Sequence, residues 1–366
     1  MIERASRSEP AGDAGGKATK KTVNLALQGG GAHGAFTWGV LDAILEDGRL
    51  EFEGISGTSA GAMNATVLAY GLETGGREGA RQALAALWDD ISAAGGPFSP
   101  LSETPWEAFF SPPVTGSQLA FSFFDTLTRT FSPYELNPLD INPLRDLLAR
   151  HVDFEALAES RKSKLFLGAT NVRTGRVKVF ETRHVTLDAV MASACLPFLF
   201  KAVEIDGEYY WDGGYMGNPV LFPFFYKCDS RDVLILHVNP LERDAVPTSA
   251  TEIMNRINEI SFNGSLLKEL RAIDFVDKLI DQGWLKDEFK DRLKRIHVHS
   301  VRSDKALSDL SAASKFNVDH RFLADLFERG RETGKAWLAH NFASIGERSS
   351  VSLKHEYLDD GFGGRG

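Results

Sequence analysis

Three short stretches of this sequence hold residues that could act together on an acyl group. The first is Gly57-Thr58-Ser59-Ala60-Gly61, a serine with a glycine two residues to either side. A serine hydroxyl is a weak nucleophile until a base takes its proton. It must also stand clear of the backbone, and flanking glycines permit the sharp strand-to-helix turn that lifts it. The second stretch is Gly29-Gly30-Gly31-Ala32-His33-Gly34. Consecutive glycines let backbone N–H groups converge on one point, which suits an oxyanion or a phosphate. The same run matches a dinucleotide fingerprint through Gly29, Gly31 and Gly34, with Glu51 and Glu53 about 20 residues on, where such a fold places its ribose-binding acid. On the residues alone both readings stay open. The third stretch is Asp212-Gly213-Gly214. An aspartate there can serve as a general base on an open turn, or close an Asx-turn at a strand end.

The elements around these stretches set where they would sit. Residues 23–27 form a short strand-like run that stops at the glycines. Phe36, Val40 and Ile44, with Leu41 and Leu45, recur at helical spacing up to Gly48. A second apolar run at 52–55 ends in the Ser59 pentapeptide, and residues 62–70, small and apolar all round, predict a buried helix. Strand, turn and helix, twice over, predict a parallel sheet with helices on its faces. Further along, 165–169 reads as a strand, 177–180 as its hairpin partner, and 188–194 as a helix stopped before Pro197. Tyr209-Tyr210-Trp211 leads into Asp212. Residues 233–238 form a buried strand, and 251 to about 294 an amphipathic helix with Ile253, Ile257 and Ile260 on one stripe. A last strand at 296–301 and a helix at 319–340 follow.

Taken in order, these motifs resemble the patatin-like phospholipase family over roughly residues 23–240. Ala169-Thr170-Asn171 with Thr174-Gly175, and Ala192-Ser193-Ala194 before Pro197, add to the resemblance. It implies a three-layer α/β/α sandwich with a mostly parallel central sheet. It implies a lipid acyl hydrolase that cleaves fatty-acyl esters of phospholipids or lysophospholipids through an acyl-enzyme. Ser59 and Asp212 would form a Ser–Asp dyad, and the N–H groups of Gly30 and Gly31 the oxyanion hole. Gly29 and Gly34 would complete the oxyanion loop, Gly57 and Gly61 the nucleophile elbow, and Gly213 and Gly214 the base motif. No cofactor and no metal is implied. The resemblance reads the glycine run as an oxyanion loop rather than a dinucleotide site. His33 departs from the pattern, because many members carry Arg or Lys there. Its imidazole weakens the positive field at the loop, adds a pH-sensitive group near Ser59, or merely packs. Two alternatives share the fold: a short-chain or storage-polymer esterase, and a non-catalytic interaction protein.

The chain has 366 residues, 43% of them hydrophobic. The expected organisation is a disordered N-terminal arm at 1–20, one acyl hydrolase domain at 21–340, and a mobile tail at 341–366. Residues 95–140 are rich in aromatics, among them Phe98, Trp106, Phe110, Phe124 and Tyr134, and suit a lid, a substrate wall or an insertion folded onto the core. The C-terminal part at about 251–340 is expected to be helical, and its amphipathic stretch at 251–295 suits a subdomain, a dimer surface or a membrane-facing face. A net charge of −9 argues against nucleic acid and against electrostatic docking to anionic lipid. Apolar, peripheral contact with a membrane stays open. Two cysteines, Cys195 and Cys228, make no disulfide framework. With no signal-peptide pattern and no run of roughly 18 apolar residues, the expected location is the cytoplasm. His237 lies within an apolar run and reads as a packed strand residue rather than a triad member. His297 and His299 share a strand face but lack a third metal ligand, Cys195 reads as buried, and Lys17, Lys20 and Lys21 as a solvated cluster.

Overall fold

The computed structural model describes residues 20–95, 130–243, 245–289, 293–310 and 312–358. The N-terminal arm up to residue 19 and most of the aromatic segment lie outside them. The described strands are β1 (Lys21–Leu27), β2 (Leu50–Gly57), β3 (Lys164–Asn171), β4 (Val177–Glu181), β5 (Val203–Ile205), β6 (Glu208–Asp212), β7 (Asp232–Leu236) and β8 (His297–Val301). The helices are α1 (Gly34–Asp47), α2 (Ala60–Gly95), α3 (Pro133–Leu136), α4 (Pro143–His151), α5 (Phe154–Ala158), α6 (Leu187–Ser193), α7 (Phe222–Lys227), α8 (Ala250–Asp281) and α9 (His320–Asn341). Strands β3, β2, β1, β7 and β8 run parallel in that order, and β4, β5 and β6 add antiparallel pairings at the β3 side.

Alternation along the buried strands divides the core into two layers. Val23, Leu25 and Leu27 of β1 join Leu234 and Leu236 of β7 and Leu165 and Leu167 of β3 in one cluster, with side chains of α1, α2, α4, α6 and α9. Ala26, Val233, Ile235 and Phe166 point the other way, into a cluster with Phe224 of α7 and Leu266, Leu270 and Ile273 of α8. Helices therefore cover both faces of a mostly parallel sheet, the α/β sandwich expected from the strand–helix alternation.

The register around β3 brings the motifs together. β2 pairs with β3 up to Gly57 opposite Leu167. β6 pairs with β3 from Tyr210 opposite Asn171 down to Asp212 opposite Ala169. β4 pairs with Phe166 to Thr170 of β3, overlapping both. A strand has two edges, so β2 and β6 must share the one that β4 leaves. They run head-on along it, and their ends meet at Gly168.

The C-terminal end differs from the expected mobile tail. Residues 342–358 pack onto the domain: Ile345 joins the first core, and Leu353, Tyr357 and Leu358 join the second. Lys21 holds this segment through its ammonium, which donates to the carbonyls of Phe342, Ala343 and Ile345. The polar, glycine-containing composition concealed these few apolar anchors. Residues 359–366 lie outside the described residues. The isoleucine stripe of α8 faces outward, with Ile253, Ile257 and Ile260 exposed by 43%, 52% and 56%. Leu266 and Leu270, not these three, make the buried contact. Among the described residues no helix is long and apolar enough to cross a membrane.

Candidate active site

Ser59 stands between β2 and α2 with φ +57°, in the left-handed region. That conformation is strained for a residue with a Cβ and persists only when its surroundings enforce it. Here the Ser59 N–H donates to the carbonyl of Ser193 at 3.2 Å and to its Oγ at 3.1 Å, and the Ser59 carbonyl accepts from Ala62 and Met63 at the start of α2. Gly61 is required by close approach, since a Cβ there would lie 2.3 Å from the Leu27 carbonyl. Gly57 and Gly61 thus press the turn against itself and against the end of β1. The N-terminus of α2 opens beside Ser59, so the helix dipole favours negative charge near the hydroxyl.

The glycine run follows β1 and lies against the same serine. A Cβ on Gly29 would meet the Ser59 Cβ and the Thr58 carbonyl, both at 2.6 Å, so only glycine lets the loop approach. Gly30 caps a 3-10 turn over Gly31–His33. The first N–H groups of such a turn, those of Gly30 and Gly31 among them, have no acceptor within the turn itself. Gly34 opens α1 close to Ala60 and Trp88. Buried amides hold the loop. The Gly29 N–H donates to Asn218 Oδ1 at 2.7 Å, and Asn239 Nδ2 donates to the Gly29 carbonyl at 2.6 Å. Gln28 Oε1 accepts from the N–H groups of Val238 and Asn239, while its Nε2 donates to Asn263 Oδ1.

Asp212 ends β6 and is 1% exposed. Its Oδ1 accepts the Gly214 N–H at 2.7 Å, the Asx-type turn of one sequence reading. Its Oδ2 is buried with no hydrogen bond closed. The Ser59 side chain lies close enough to the carboxyl to favour its charged form. Burial pushes the carboxyl up to about 6, against the opposing effects of the Gly214 N–H and the Ser59 side chain. One oxygen is thus oriented and the other is left for a proton. Gly213 passes over the Gly168 carbonyl and Gly214 packs on Phe262 of α8.

His33 does not join this cluster. Its Nε2 lies 2.8 Å from Ser314 Oγ, and burial, with Lys315 and Arg243 nearby, depresses it to about 3. It is a neutral, buried imidazole facing the 3-10 turn Ala312–Phe316. Glu51 and Glu53 lie toward the opening of β2, at the far end of the sheet from the glycine loop. Glu53 accepts the N–H groups of Asp229 and Ser230 and the Lys164 ammonium, all at that far end. His237 meets the Tyr357 hydroxyl at 3.0 Å, and His299 lies between Asp232 at 2.9 Å and Ser350 at 3.1 Å. Cys195 is buried, with its Sγ directed at the Lys201 carbonyl, and desolvation pushes its thiol up to about 12. Lys20 pairs with Glu51 and Lys21 caps the chain after α9, so neither belongs to a free basic cluster.

Sequence reasoning gave no role to Gln28, Ser193, Asn218, Asn239 or Lys315, all of which brace the site. Gln28 and Ser193 adjoin or lie within quoted motifs. The others come from distant segments, and nothing local marks them.

The patatin-like phospholipase model matches residues 25–225, more than half of the chain, and the chain belongs to that family. Membership places it among hydrolases that act on lipids. It is similar to the cGAMP-activated phospholipase of Vibrio cholerae serotype O1, at 24% identity over 351 residues, covering 84% of this chain and 89% of that protein. Among solved structures it is similar to VipD from Legionella pneumophila, at 14% identity and TM-score 0.42, covering 93% of this chain and 74% of that one. It is also similar to ExoU from the type III secretion system of Pseudomonas aeruginosa, in complex with SpcU, at 17% identity and TM-score 0.33, covering 88% of this chain and 53% of that one.

Proposed function

We propose that the chain is a serine carboxylic ester hydrolase that cleaves fatty-acyl esters of phospholipids or lysophospholipids with a Ser59–Asp212 dyad. The observation that carries this is a serine held at φ +57° facing a buried carboxylate with one unbonded oxygen. Ser59 Oγ attacks the acyl carbonyl and its proton passes to Asp212 Oδ2. The N–H groups of Gly30 and Gly31 take the oxyanion, where preorganised donors act most strongly. Collapse of the tetrahedral intermediate expels the alcohol, which leaves with the proton from Asp212. Water then gives a proton to Asp212 and attacks the acyl-enzyme; collapse of the second intermediate releases the fatty acid, and Asp212 returns the proton to Ser59 Oγ. Each step is general acid–base chemistry at a single carboxyl.

Apolar surface near the motifs supports peripheral contact with a lipid layer. Phe198, three residues after Cys195, is 61% exposed, and Met216, two after Gly214, is 42% exposed. The exposed isoleucines of α8 lie on the helix that packs Phe262 against Tyr215.

Hydrolysis of phospholipid vesicles and of a p-nitrophenyl ester series tests the reading, with fluorophosphonate labelling in parallel. The assays are run with and without cGAMP, the activator in the Vibrio relative's name, so that a latent enzyme is not scored as inactive. Ser59→Ala is expected to lose both hydrolysis and labelling. A folded Ser59→Ala that keeps them overturns the assignment, and an optimum at very short acyl chains overturns the lipid substrate.

A further inference from the structure

Lys315 is a half-buried cation outside the dyad. It lies in the 3-10 turn Ala312–Phe316, which rests on the glycine loop: a Cβ on Gly31 would lie 2.4 Å from the Lys315 carbonyl. Its ammonium donates to Asn239 Oδ1 at 2.7 Å. The same amide donates from Nδ2 to the Gly29 carbonyl at 2.6 Å. That carbonyl shares its peptide unit with the Gly30 N–H. The geometry points to Lys315 as a positioning residue that, through Asn239, orients and polarises the Gly29–Gly30 peptide so that its N–H becomes a stronger oxyanion donor.

The physical case is a chain of amides headed by a cation. A positive charge on an amide oxygen draws electron density from its nitrogen and strengthens that N–H as a donor. Donation to the Gly29 carbonyl repeats the effect on the Gly30 N–H. Both links are buried or nearly so, with Asn239 1% exposed, and low dielectric preserves the effect. The charge is also not cancelled locally. Glu259 of α8 is the anion that acts on Lys315, yet it already pairs with Arg243 at 2.7 Å and Arg256 at 3.1 Å. His33, on the loop itself, is neutral. Lys315 therefore supplies the cation behind the glycine loop.

Burial, opposed by Glu259 and aided by Arg243, lowers Lys315 to about 8. The ammonium is present below that pH and lost as pH rises through it. The polarising effect should vanish on the same alkaline limb.

The inference rests on Gly30 as an oxyanion donor to an acyl-enzyme at Ser59. The experiment measures kcat and KM against pH for the wild type, Lys315→Met and Lys315→Arg, with Ser59→Ala as control and thermal unfolding as the check on folding. Lys315→Met should lower kcat about tenfold, less than the roughly 100-fold typical of deleting an oxyanion donor, with little change in KM. Lys315→Arg should keep kcat within a few-fold and carry activity to higher pH, because a guanidinium stays charged. Wild-type kcat in Lys315→Met overturns the proposal, as does an unshifted alkaline limb in Lys315→Arg, which also serves if Lys315→Met does not fold. Hydrolysis by Ser59→Ala would instead overturn the underlying reading.

Discussion

Gly57 and Asp212 face β3 two positions apart, opposite Leu167 and Ala169, on strands that approach each other along one edge. Gly57 is the last residue of β2 and Asp212 the last of β6. The peptide between their partners, Gly168, receives Ser193 Oγ on its carbonyl at 2.6 Å, and Ser193 in turn braces the Ser59 N–H. Sheet register thus brings the ends of β2 and β6, and with them the serine turn and the aspartate, to one residue of β3.

Asp212→Asn removes the proposed base while keeping the side-chain shape. General bases contribute about 100- to 10,000-fold, so kcat should fall within that range. His33→Ala should cost far less, because its ring faces Ser314 rather than Ser59. Equal losses in kcat would return His33 to the catalytic cluster. Heat stability should move the other way for Asp212→Asn. A carboxyl whose pKa is raised on folding loses stability as pH climbs from its unfolded value through about 6. Removing that charge should stabilise the fold at neutral pH by up to about 3 kcal/mol, seen as a higher unfolding temperature.

The acidic limb of the pH–rate profile should report Asp212. Its carboxyl must be ionised to accept the serine proton, so kcat/KM should fall as pH drops through about 6. A limb near the ordinary carboxylate range would show that the site admits enough water to relieve the burial.

Gly29→Ala tests the contact between the glycine loop and the elbow. The added methyl would lie 2.6 Å from both the Ser59 Cβ and the Thr58 carbonyl. Overpacking of this kind costs about 1–3 kcal/mol, measurable as a lower urea midpoint, and ester hydrolysis should fall to background. A variant with wild-type kinetics would mean that the loop can retreat without harm.

Ending the chain after Asn341 removes the segment that covers the second core. Leu353, Tyr357 and Leu358 are each less than 10% exposed, and uncovering a large apolar contact costs about 1.5–3 kcal/mol per side chain at most. The truncated protein should unfold at lower temperature and bind a hydrophobic dye. An unchanged unfolding temperature would class the segment as ornamental.

The elements that carry the motifs were legible because their signals are local. Strand runs before Gly29 and Gly57, and the apolar helix after Ser59, follow from spacing alone. The head-on meeting of β2 and β6 was not legible, since it depends on which edge of β3 each strand takes. The bracing amides of Asn218 and Asn239 were equally silent, because a polar residue reveals its partner only after folding. The tail was misread for a related reason. A few anchors such as Tyr357 and Leu358 outweigh a polar average once a core face is there to receive them.

The two proposed catalytic groups belong to structural units of unequal strength. Ser59 sits on the parallel centre of the sheet, between layers packed on both faces. Asp212 ends a short hairpin, β5 with β6, that meets β3 over three residues, Ala169 to Asn171. Protein regions open locally with free energies well below that of global unfolding, and short peripheral pairings open first. Loosening of this hairpin would part base from nucleophile while the central sheet stayed folded. Heat should therefore silence the enzyme before it melts it, and cooling should restore it so long as the centre has held.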